Sequence, residues 1–315
     1  MPFSRITVTA PATTANLGPG FDVFGLALEQ PSDNVTVALI PKGVKIEVTG
    51  LSAATILTAP EKNTAGVVAN QMLKEFSLKA GVLIKIEKGI LPGMGLGSSA
   101  ASAAAVAYGL NRIFDLKLDN TQLIRLAAKG EIASAGYEHA DNVSAAICGD
   151  FVIIKSYNPL EIVNLKSPPD MEVCVAFPHM RTPAHKTRKA RSVVSKLVPI
   201  EKVTQNIGKA AAMAIGFATG DVDLIGESMS DAVVEPARAF LIPGYEQVKE
   251  NALRAGACGV AVSGAGPAMI SIVNKKKADA SKVASAMKAG FESAGLKATA
   301  FATRPGKGVS LLELE

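Results

Sequence analysis

The sequence predicts an α+β fold with mixed sheets, arranged in two domains. Strand-like segments occur both singly and in neighbouring pairs, which favours mixed sheets over a strict βαβ alternation. The chain has 315 residues, enough for two packed domains. Hydrophobic residues make up 48% and aromatic residues only 5%, so we expect cores of aliphatic and small side chains. The weakest pattern lies between Tyr157 and Asp170, and we therefore predict domains 1–158 and 159–315.

The first half alternates short strand patterns with alanine-rich helical ones. We predict strands over residues 5–9, 35–39, 44–49, 82–87 and 151–154. Residues 10–20 contain two prolines and two glycines, so we expect no regular structure there. Asn63 is the predicted N-cap of a helix that ends near residue 76. Two longer helices are expected, one over 98–114 and one opened by Asp119.

The second half begins after the weak segment. We predict strands over 172–177, 258–263, 268–273 and 297–303. We predict helices over roughly 186–196, 200–218, 244–255 and 276–294.

Composition also limits the classes of partner. A net charge of +5 suits an anionic small ligand as well as nucleic acid. Because aromatic residues are few, we expect no nucleic-acid partner. No apolar run reaches about 18 residues, so we expect no membrane association, and the first residues show no secretory signal. The three cysteines are distant from one another, which fits a reducing cytoplasm and argues against a disulfide framework.

The strongest local signal is a glycine-rich loop that runs into a helix. Its residues are Leu91, Pro92, Gly93, Met94, Gly95, Leu96, Gly97, Ser98, Ser99, Ala100 and Ala101. Alternate glycines let the backbone approach an anion, and the free N–H groups of a helix start favour phosphate. On this interpretation valine at Gly95 or Gly97 lowers ATP affinity with little loss of stability. An ordinary capped helix after a tight turn explains the same spacing equally well.

Other glycine motifs fit this loop less well. In a dinucleotide-binding fingerprint, Ser98 would occupy the place of the third glycine. A Walker A loop requires Gly-Lys-Ser/Thr, but Gly208-Lys209 is followed by Ala210. The serines also lack the G-x-S-x-G spacing of a nucleophile elbow.

A second cluster of polar residues follows in an alanine-rich region. Glu131 lies in an apolar helix and requires a partner if buried, for which Mg²⁺ is suitable. His139, Asp141 and Asn142 could hydrogen-bond a polar substrate. The alternative is a helix-to-helix connection with Asp141 as its N-cap. The three histidines lack the spacing of a zinc site.

Basic residues are concentrated after residue 180. They are Arg181, His185, Lys186, Arg188, Lys189, Arg191 and Lys196. Most are expected on a solvated helix face, while one or two arginines could bind a carboxylate or phosphate. Arg238 is a lone candidate of the same kind, with a surface ion pair as the alternative. The turn 263–267 could be a plain hairpin or could approach a ligand between the domains.

Taken together, these segments resemble the GHMP small-molecule kinase superfamily, named for galactose, homoserine, mevalonate and phosphomevalonate kinases. Residues 11–20, 92–101 and 263–267 are similar to its three motifs, in the same order. The resemblance is closer to its homoserine kinase branch, and the segments that carry this are 16–25, 139–142 and 230–238. The resemblance implies an N-terminal domain like ribosomal protein S5 domain 2 and a ferredoxin-like C-terminal domain, with both substrates in the cleft between them.

The resemblance further implies ATP-dependent phosphorylation of L-homoserine to O-phospho-L-homoserine in threonine biosynthesis, by a homodimer. It implies Mg²⁺ on Ser99 and Glu131, triphosphate on 91–101, and nucleotide near Asn63. Asn142 lies near the place where mevalonate kinases have a catalytic aspartate. The implied amino-acid pocket consists of Asn16, Asp22, His139, Asp141, Arg191 and Arg238.

The charges of an amino acid divide these residues into two groups. Asp22 and Asp141 can pair with an ammonium, and Arg191 and Arg238 with a carboxylate. Residues 187–191 leave open whether Arg191 or Arg188 faces the site. The alternative functions are another GHMP kinase for a different alcohol, a dinucleotide-dependent oxidoreductase, and a non-enzymatic nucleotide-binding protein.

Overall fold

The computed structural model describes residues 4–135, 139–180 and 186–314, with only the backbone of 132–135. Within these ranges the strands form two sheets. The strands are β1 (Arg5–Asn16), β2 (Gly20–Ile40), β3 (Val44–Gly50), β4 (Gly81–Lys88), β5 (Phe151–Tyr157), β6 (Leu160–Leu165), β7 (Met171–Pro178), β8 (Gly259–Val262), β9 (Met269–Asn274), β10 (Ala298–Thr303) and β11 (Ser310–Leu314). The helices are α1 (Thr64–Glu75), α2 (Ser98–Ile113), α3 (Asn120–Ala135), α4 (Asp141–Cys148), α5 (Lys186–Ser192), α6 (Ile200–Thr219), α7 (Val222–Glu227), α8 (Val234–Arg238), α9 (Tyr245–Arg254) and α10 (Ala280–Ser293).

The first sheet is mixed, as predicted. Its order is β11-β1-β2-β4-β3, with β5 paired to β2 and β6 paired to β5. Only the β3–β4 pair in this sheet is parallel within the described strands. The alanine-rich helix α2 packs against α1, α3, α4 and β1, and it is buried along most of its length. Small side chains allow this close approach, so α2 is closely packed on several sides and fixes where the preceding loop ends.

The prediction that residues 10–20 lack regular structure is wrong for most of that segment. Strand β1 continues to Asn16, and a short turn at 17–19 leads into β2. The β1–β2 register shifts between Pro11 and Thr13, so the ladder is interrupted beside the proline that lacks an N–H. The second proline, Pro19, lies in the turn. Both prolines are thus accommodated without ending the strand pair.

The second sheet has the order β10-β7-β9-β8, with every neighbouring pair antiparallel. Helices separate β7 from β8, the β8–β9 hairpin follows directly, and α10 leads to β10. This is the β-α-β-β-α-β arrangement of a ferredoxin-like domain, which confirms the expected fold class. The predicted helix over 186–196 is shorter, because α5 ends at Ser192.

Strand pairing also links the chain across the predicted domain division. β6 extends the first sheet beyond residue 158, and β11 returns to pair with β1. The rings of Phe151 and Phe217 stack with centroids 3.8 Å apart, which joins β5 to α6. The division at 158/159 stays a prediction.

Among the described helices, none combines the length and apolar character required to cross a membrane.

Candidate active site

A cavity of about 400 Å³ is lined by residues of both halves of the chain. The predicted site residues that it brings together are Asn16, Asp22, Asn63, Pro92, Gly93, Gly95, Leu96, Gly97, Ser98, Ser99, Ala100, Glu131, His139, Asp141, Asn142, Arg191 and Arg238. Leu91, Met94 and Ala101 are not in its lining, and the last two are buried in the core. Arg181 and His185 lie outside the described residues.

The glycine-rich loop is tied down through its carbonyl oxygens. Met94 O accepts from Ala268 N at 2.9 Å, and Leu96 O accepts from Thr13 N at 3.1 Å. Gly95 O accepts from the Ser263 hydroxyl at 2.7 Å. Because protein donors engage these carbonyls, their negative ends are compensated, which favours an anion in the neighbouring cavity.

The loop glycines have a packing role that the sequence interpretation did not anticipate. Gly95 and Gly97 have φ angles of 92° and 64°. A Cβ atom at Gly95 would lie 2.3 Å from Ser263 O, and one at Gly97 would lie 1.9 Å from the Thr13 hydroxyl oxygen. The missing side chains therefore make room for protein atoms. The expectation that valine at these positions spares stability is wrong for this reason.

A buried ion pair supports the loop from behind. Lys88 contacts the Asp33 carboxylate and also donates to Ser98 O at 2.9 Å. Asp33 Oδ1 accepts from the backbone N–H groups of Gly89 and Ile90, each at 3.0 Å. Burial raises the pKa of Asp33, an effect that Lys88 opposes. Sequence spacing does not reveal this pair, whose members are 55 residues apart.

Ser99 and Glu131 meet at the start of α2. The Ser99 hydroxyl donates to Glu131 Oε2 at 3.0 Å, and Glu131 is largely buried. A hydroxyl and a carboxylate are oxygen donors suited to Mg²⁺, which takes few protein ligands and completes its shell with phosphates and water. The described residues contain no cluster of three or more His, Cys, Asp or Glu side chains suited to a metal. This donor pair therefore fits Mg²⁺ that arrives with a nucleotide.

Asp22 is the centre of a second group of side chains in the cavity, apart from the glycine-rich loop and the Ser99–Glu131 pair. Two N–H groups of Arg191 donate to its carboxylate, and His139 Nδ1 is 3.7 Å from Asp22 Oδ1. The backbone N–H of Asp22 donates to Asn16 Oδ1 at 3.1 Å. Arg188 is exposed, so Arg191 is the arginine of this helix that faces the site.

Arg238 is a buried residue and not part of a surface ion pair. Its Nε donates to Ala190 O at 2.8 Å and its Nη1 lies 3.3 Å from Gly264 O. The Phe21 ring is within cation–π distance of both cavity arginines. Its centroid lies 5.2 Å from Arg191 Cζ and 5.0 Å from Arg238 Cζ. Phe21 thus contacts both guanidinium groups, a placement that sequence spacing does not reveal.

Asp141 and Asn142 form the floor between the two halves. Asp141 is buried, which raises its pKa, and it begins α4 as the first helical residue instead of its N-cap. Its Oδ1 accepts from the backbone N–H of Asn142 at 2.7 Å. The Asn142 amide oxygen accepts from the Thr13 hydroxyl at 2.8 Å. Both side chains are therefore fixed before any ligand binds.

Comparison with known proteins matches this arrangement to one family. The family model described as GHMP kinases N terminal domain matches residues 63–150, and the model described as GHMP kinases C terminal matches 213–293. The homoserine kinase of Methanococcus vannielii is 47% identical over 274 residues, covering 86% of this chain and 89% of that protein. The chain belongs to the homoserine kinase family of GHMP kinases.

The likeness extends over nearly the whole chain. The homoserine kinase of Halorubrum lacusprofundi is 44% identical over 308 residues, covering 98% of this chain and 99% of that protein. The crystal structure of homoserine kinase from Cytophaga hutchinsonii superposes with a TM-score of 0.91 at 34% identity, covering 99% and 98% of the two chains. Family membership and the two-domain fold are thus established by sequence and by structure.

Proposed function

We propose that the protein is a homoserine kinase, which transfers the γ-phosphoryl group of ATP to the hydroxyl of L-homoserine and yields O-phospho-L-homoserine for threonine biosynthesis. The observation that carries this proposal is the meeting of a glycine-rich phosphate loop with two carboxylates and two arginines in one cavity. The loop suits a nucleotide, and the opposed charges suit a zwitterionic acceptor.

The amino acid is held by exchanging one ion pair for two. Asp22 pairs with Arg191 in the structure. The ammonium of homoserine binds Asp22 and Asp141, while its carboxylate binds Arg191 and Arg238. Each of the four protein charges then has a partner of opposite sign. These pairs offset most of the free-energy cost of removing the charges from water. Two fixed charges at one end of the substrate orient the hydroxyl at the other end.

The phosphoryl group is transferred at the start of α2. The residues of 91–101 that line the cavity surround the triphosphate, and the N-terminus of α2 adds the positive end of its dipole. Ser99 and Glu131 would hold Mg²⁺, whose charge neutralises the phosphate oxygens. Glu131 acts through that binding, not as a base.

Asn142 positions the acceptor hydroxyl and does not remove its proton. An amide has no basic group, and its oxygen is engaged by Thr13. Phosphoryl transfer tolerates this arrangement because its transition state is loose, so positioning and electrostatic stabilisation supply most of the rate. The hydroxyl proton leaves late, to phosphate or solvent.

The deciding experiment is ADP release with ATP and Mg²⁺ across homoserine, mevalonate, galactose and shikimate. We expect release only with homoserine. Release with a neutral alcohol in place of homoserine would favour another kinase of the superfamily, and nucleotide binding without acceptor-dependent release would favour a non-enzymatic protein.

We also propose a cytoplasmic homodimer. The cysteines Cys148, Cys174 and Cys258 are free thiols, which suits a reducing compartment. Helix α6 exposes Ile200 and Ile207, apolar side chains that a second subunit could cover. Light scattering after size-exclusion chromatography measures the subunit number, and a monomer over the working concentration range would contradict the dimer.

A further inference from the structure

Lys186 is a cation in the cavity lining that the proposed reaction has not used. It is the first residue of α5 and is half-buried. Its ammonium donates to Gly93 O at 2.9 Å and also to Gly266 O. Gly93 belongs to the glycine-rich loop, and Gly266 belongs to the turn between β8 and β9. The ammonium therefore lies where the phosphate loop meets the second domain.

The neighbours of this ammonium are uncharged or positive. Among the described residues, no carboxylate lies within ion-pair distance of Lys186. Residues 91–97 and 263–267 contain no ionisable side chain. The charged side chain that acts on it from another element is Arg238 on α8, and the charged residues of its own helix are all basic. Burial, and then the charge of Arg238, lower the pKa of Lys186 to about 7. An ammonium in such surroundings gains free energy when an anion binds beside it.

Its position lies between the two substrate half-sites. Lys186 donates to Gly266 O, and Arg238 Nη1 approaches Gly264 O on the same turn. One side of the ammonium thus faces the phosphate loop and the other faces the arginine assigned to the amino-acid carboxylate. An ammonium has three N–H donors, and the two carbonyls account for two of them.

We propose that Lys186 is a further substrate-binding residue, which contacts the γ-phosphate of ATP through its ammonium. This inference rests on the proposed function only for the identity of the nucleotide. The γ-phosphate is the group that must lie between the loop and the acceptor, and a lysine binds it as a point charge. The same contact draws the loop and the second domain together around the transferring group.

The test compares Lys186→Met with Lys189→Met. Both remove an ammonium from α5 and keep an unbranched side chain, but Lys189 is exposed. Calorimetric titration with Mg·ATP and with Mg·ADP, without acceptor, measures both affinities. We expect Lys186→Met to weaken ATP about tenfold or more and ADP much less, as loss of a charge-assisted contact to the γ-phosphate requires. We expect Lys189→Met to bind both like the wild type.

Two results would overturn the proposal. Unchanged ATP affinity would remove Lys186 from the site. Equal losses of affinity for ATP and ADP would show that Lys186 only links Gly93 and Gly266 structurally. In that case the unfolding temperature of the free protein would also fall. Because binding is measured without homoserine, the outcome is independent of whether homoserine is the acceptor.

Proton linkage gives a second readout. Near pH 8, above a pKa of about 7, Lys186 is largely neutral in the free protein, and a bound phosphate raises its pKa. We expect the wild type to take up more protons per ATP than Lys186→Met, measured from titration heats in buffers of different ionisation enthalpy. Equal proton uptake by the two proteins would contradict direct contact with phosphate.

Discussion

The two halves of the cavity are constructed differently. The half proposed for the nucleotide is lined largely by one stretch of the chain, 92–100, with Glu131 beside it. The half proposed for the amino acid consists of side chains on separate elements, namely Asp22 on β2, Asp141 on α4, Arg191 on α5 and Arg238 on α8. A site formed by one stretch of the chain follows from local sequence, whereas a site made of distant side chains depends on how both domains pack.

The largest effect should follow from removing a charge in the amino-acid half. In Arg238→Leu, the substrate carboxylate and the Asp22 carboxylate share a single arginine, Arg191. We expect a loss of about 2–5 kcal/mol in kcat/KM for homoserine, the cost of breaking a buried charge pair. ATP affinity should change little. Steady-state kinetics with each substrate varied in turn measures this difference.

A decarboxylated homoserine analogue provides the control for that variant. Arg238→Leu should hardly alter its use, because the interaction is already missing there. Arg254→Leu removes an exposed guanidinium from the same half of the chain and should behave like the wild type. Weakened ATP with unchanged homoserine would assign Arg238 to the nucleotide half and remove the contrast between the halves.

Removing the single carboxylate of the nucleotide half tests the opposite side. Glu131→Ala leaves Ser99 without its acceptor and Mg²⁺ without a charged protein ligand. We expect kcat to fall about 100- to 1,000-fold, the range for losing one transition-state electrostatic contact. Thermal unfolding should show that the fold is retained. Normal turnover in saturating Mg²⁺ would exclude Glu131 from metal binding.

Local patterns were sufficient for most elements and for the glycine-rich loop that precedes α2. The N-caps Asn63 and Asp119 were correctly identified, since each accepts a backbone N–H in the first helical turn. Residues 10–20 were misjudged because proline content does not reveal a register shift in the ladder. Strands β6 and β11 were missed, since the pairing of β11 with β1 joins opposite ends of the chain.

The side-chain half of the site was harder to predict. The resemblance indicated Asp22, Arg191 and Arg238, but it did not indicate Phe21 between the arginines. Lys186 was grouped with a solvated basic face because charge runs usually are solvated. Its contacts with two carbonyls of different domains depend on tertiary packing, which sequence spacing does not encode.

The glycines of the loop test how far the nucleotide half depends on the second domain. Gly95→Ala places a Cβ against Ser263 O at a positive φ angle, so we expect the free energy of unfolding to fall by roughly 3 kcal/mol. Gly43→Ala is the matched control. Gly43 also has a positive φ, but nothing lies within 4 Å of its added Cβ, so only the backbone strain of about 1–2 kcal/mol remains. Equal losses in chemical denaturation would show that the domain contact at Gly95 adds nothing.

The smallest effect concerns Asn63, where a structural role and a nucleotide role overlap. Its Oδ1 accepts from Ala65 N at 3.0 Å, which caps α1, and its Nδ2 donates to Leu57 O at 2.7 Å. Asn63→Ala should cost about 1 kcal/mol of stability through the lost cap. Asp279→Ala removes the equivalent cap of α10, away from the cavity lining, and should cost about the same.

The two variants should differ in ATP binding. Leu57 lines the cavity. Without the hydrogen bond from Asn63 to its carbonyl, Leu57 is held less firmly in the half proposed for the nucleotide. We therefore expect weaker ATP binding in Asn63→Ala and wild-type binding in Asp279→Ala, measured by calorimetry under identical conditions. Asn63→Asp separates the contributions further, since it keeps the cap acceptor and loses the donor to Leu57 O. If all three variants bound ATP equally, Asn63 would be a helix cap alone, and the nucleotide half would be confined to the loop and Glu131.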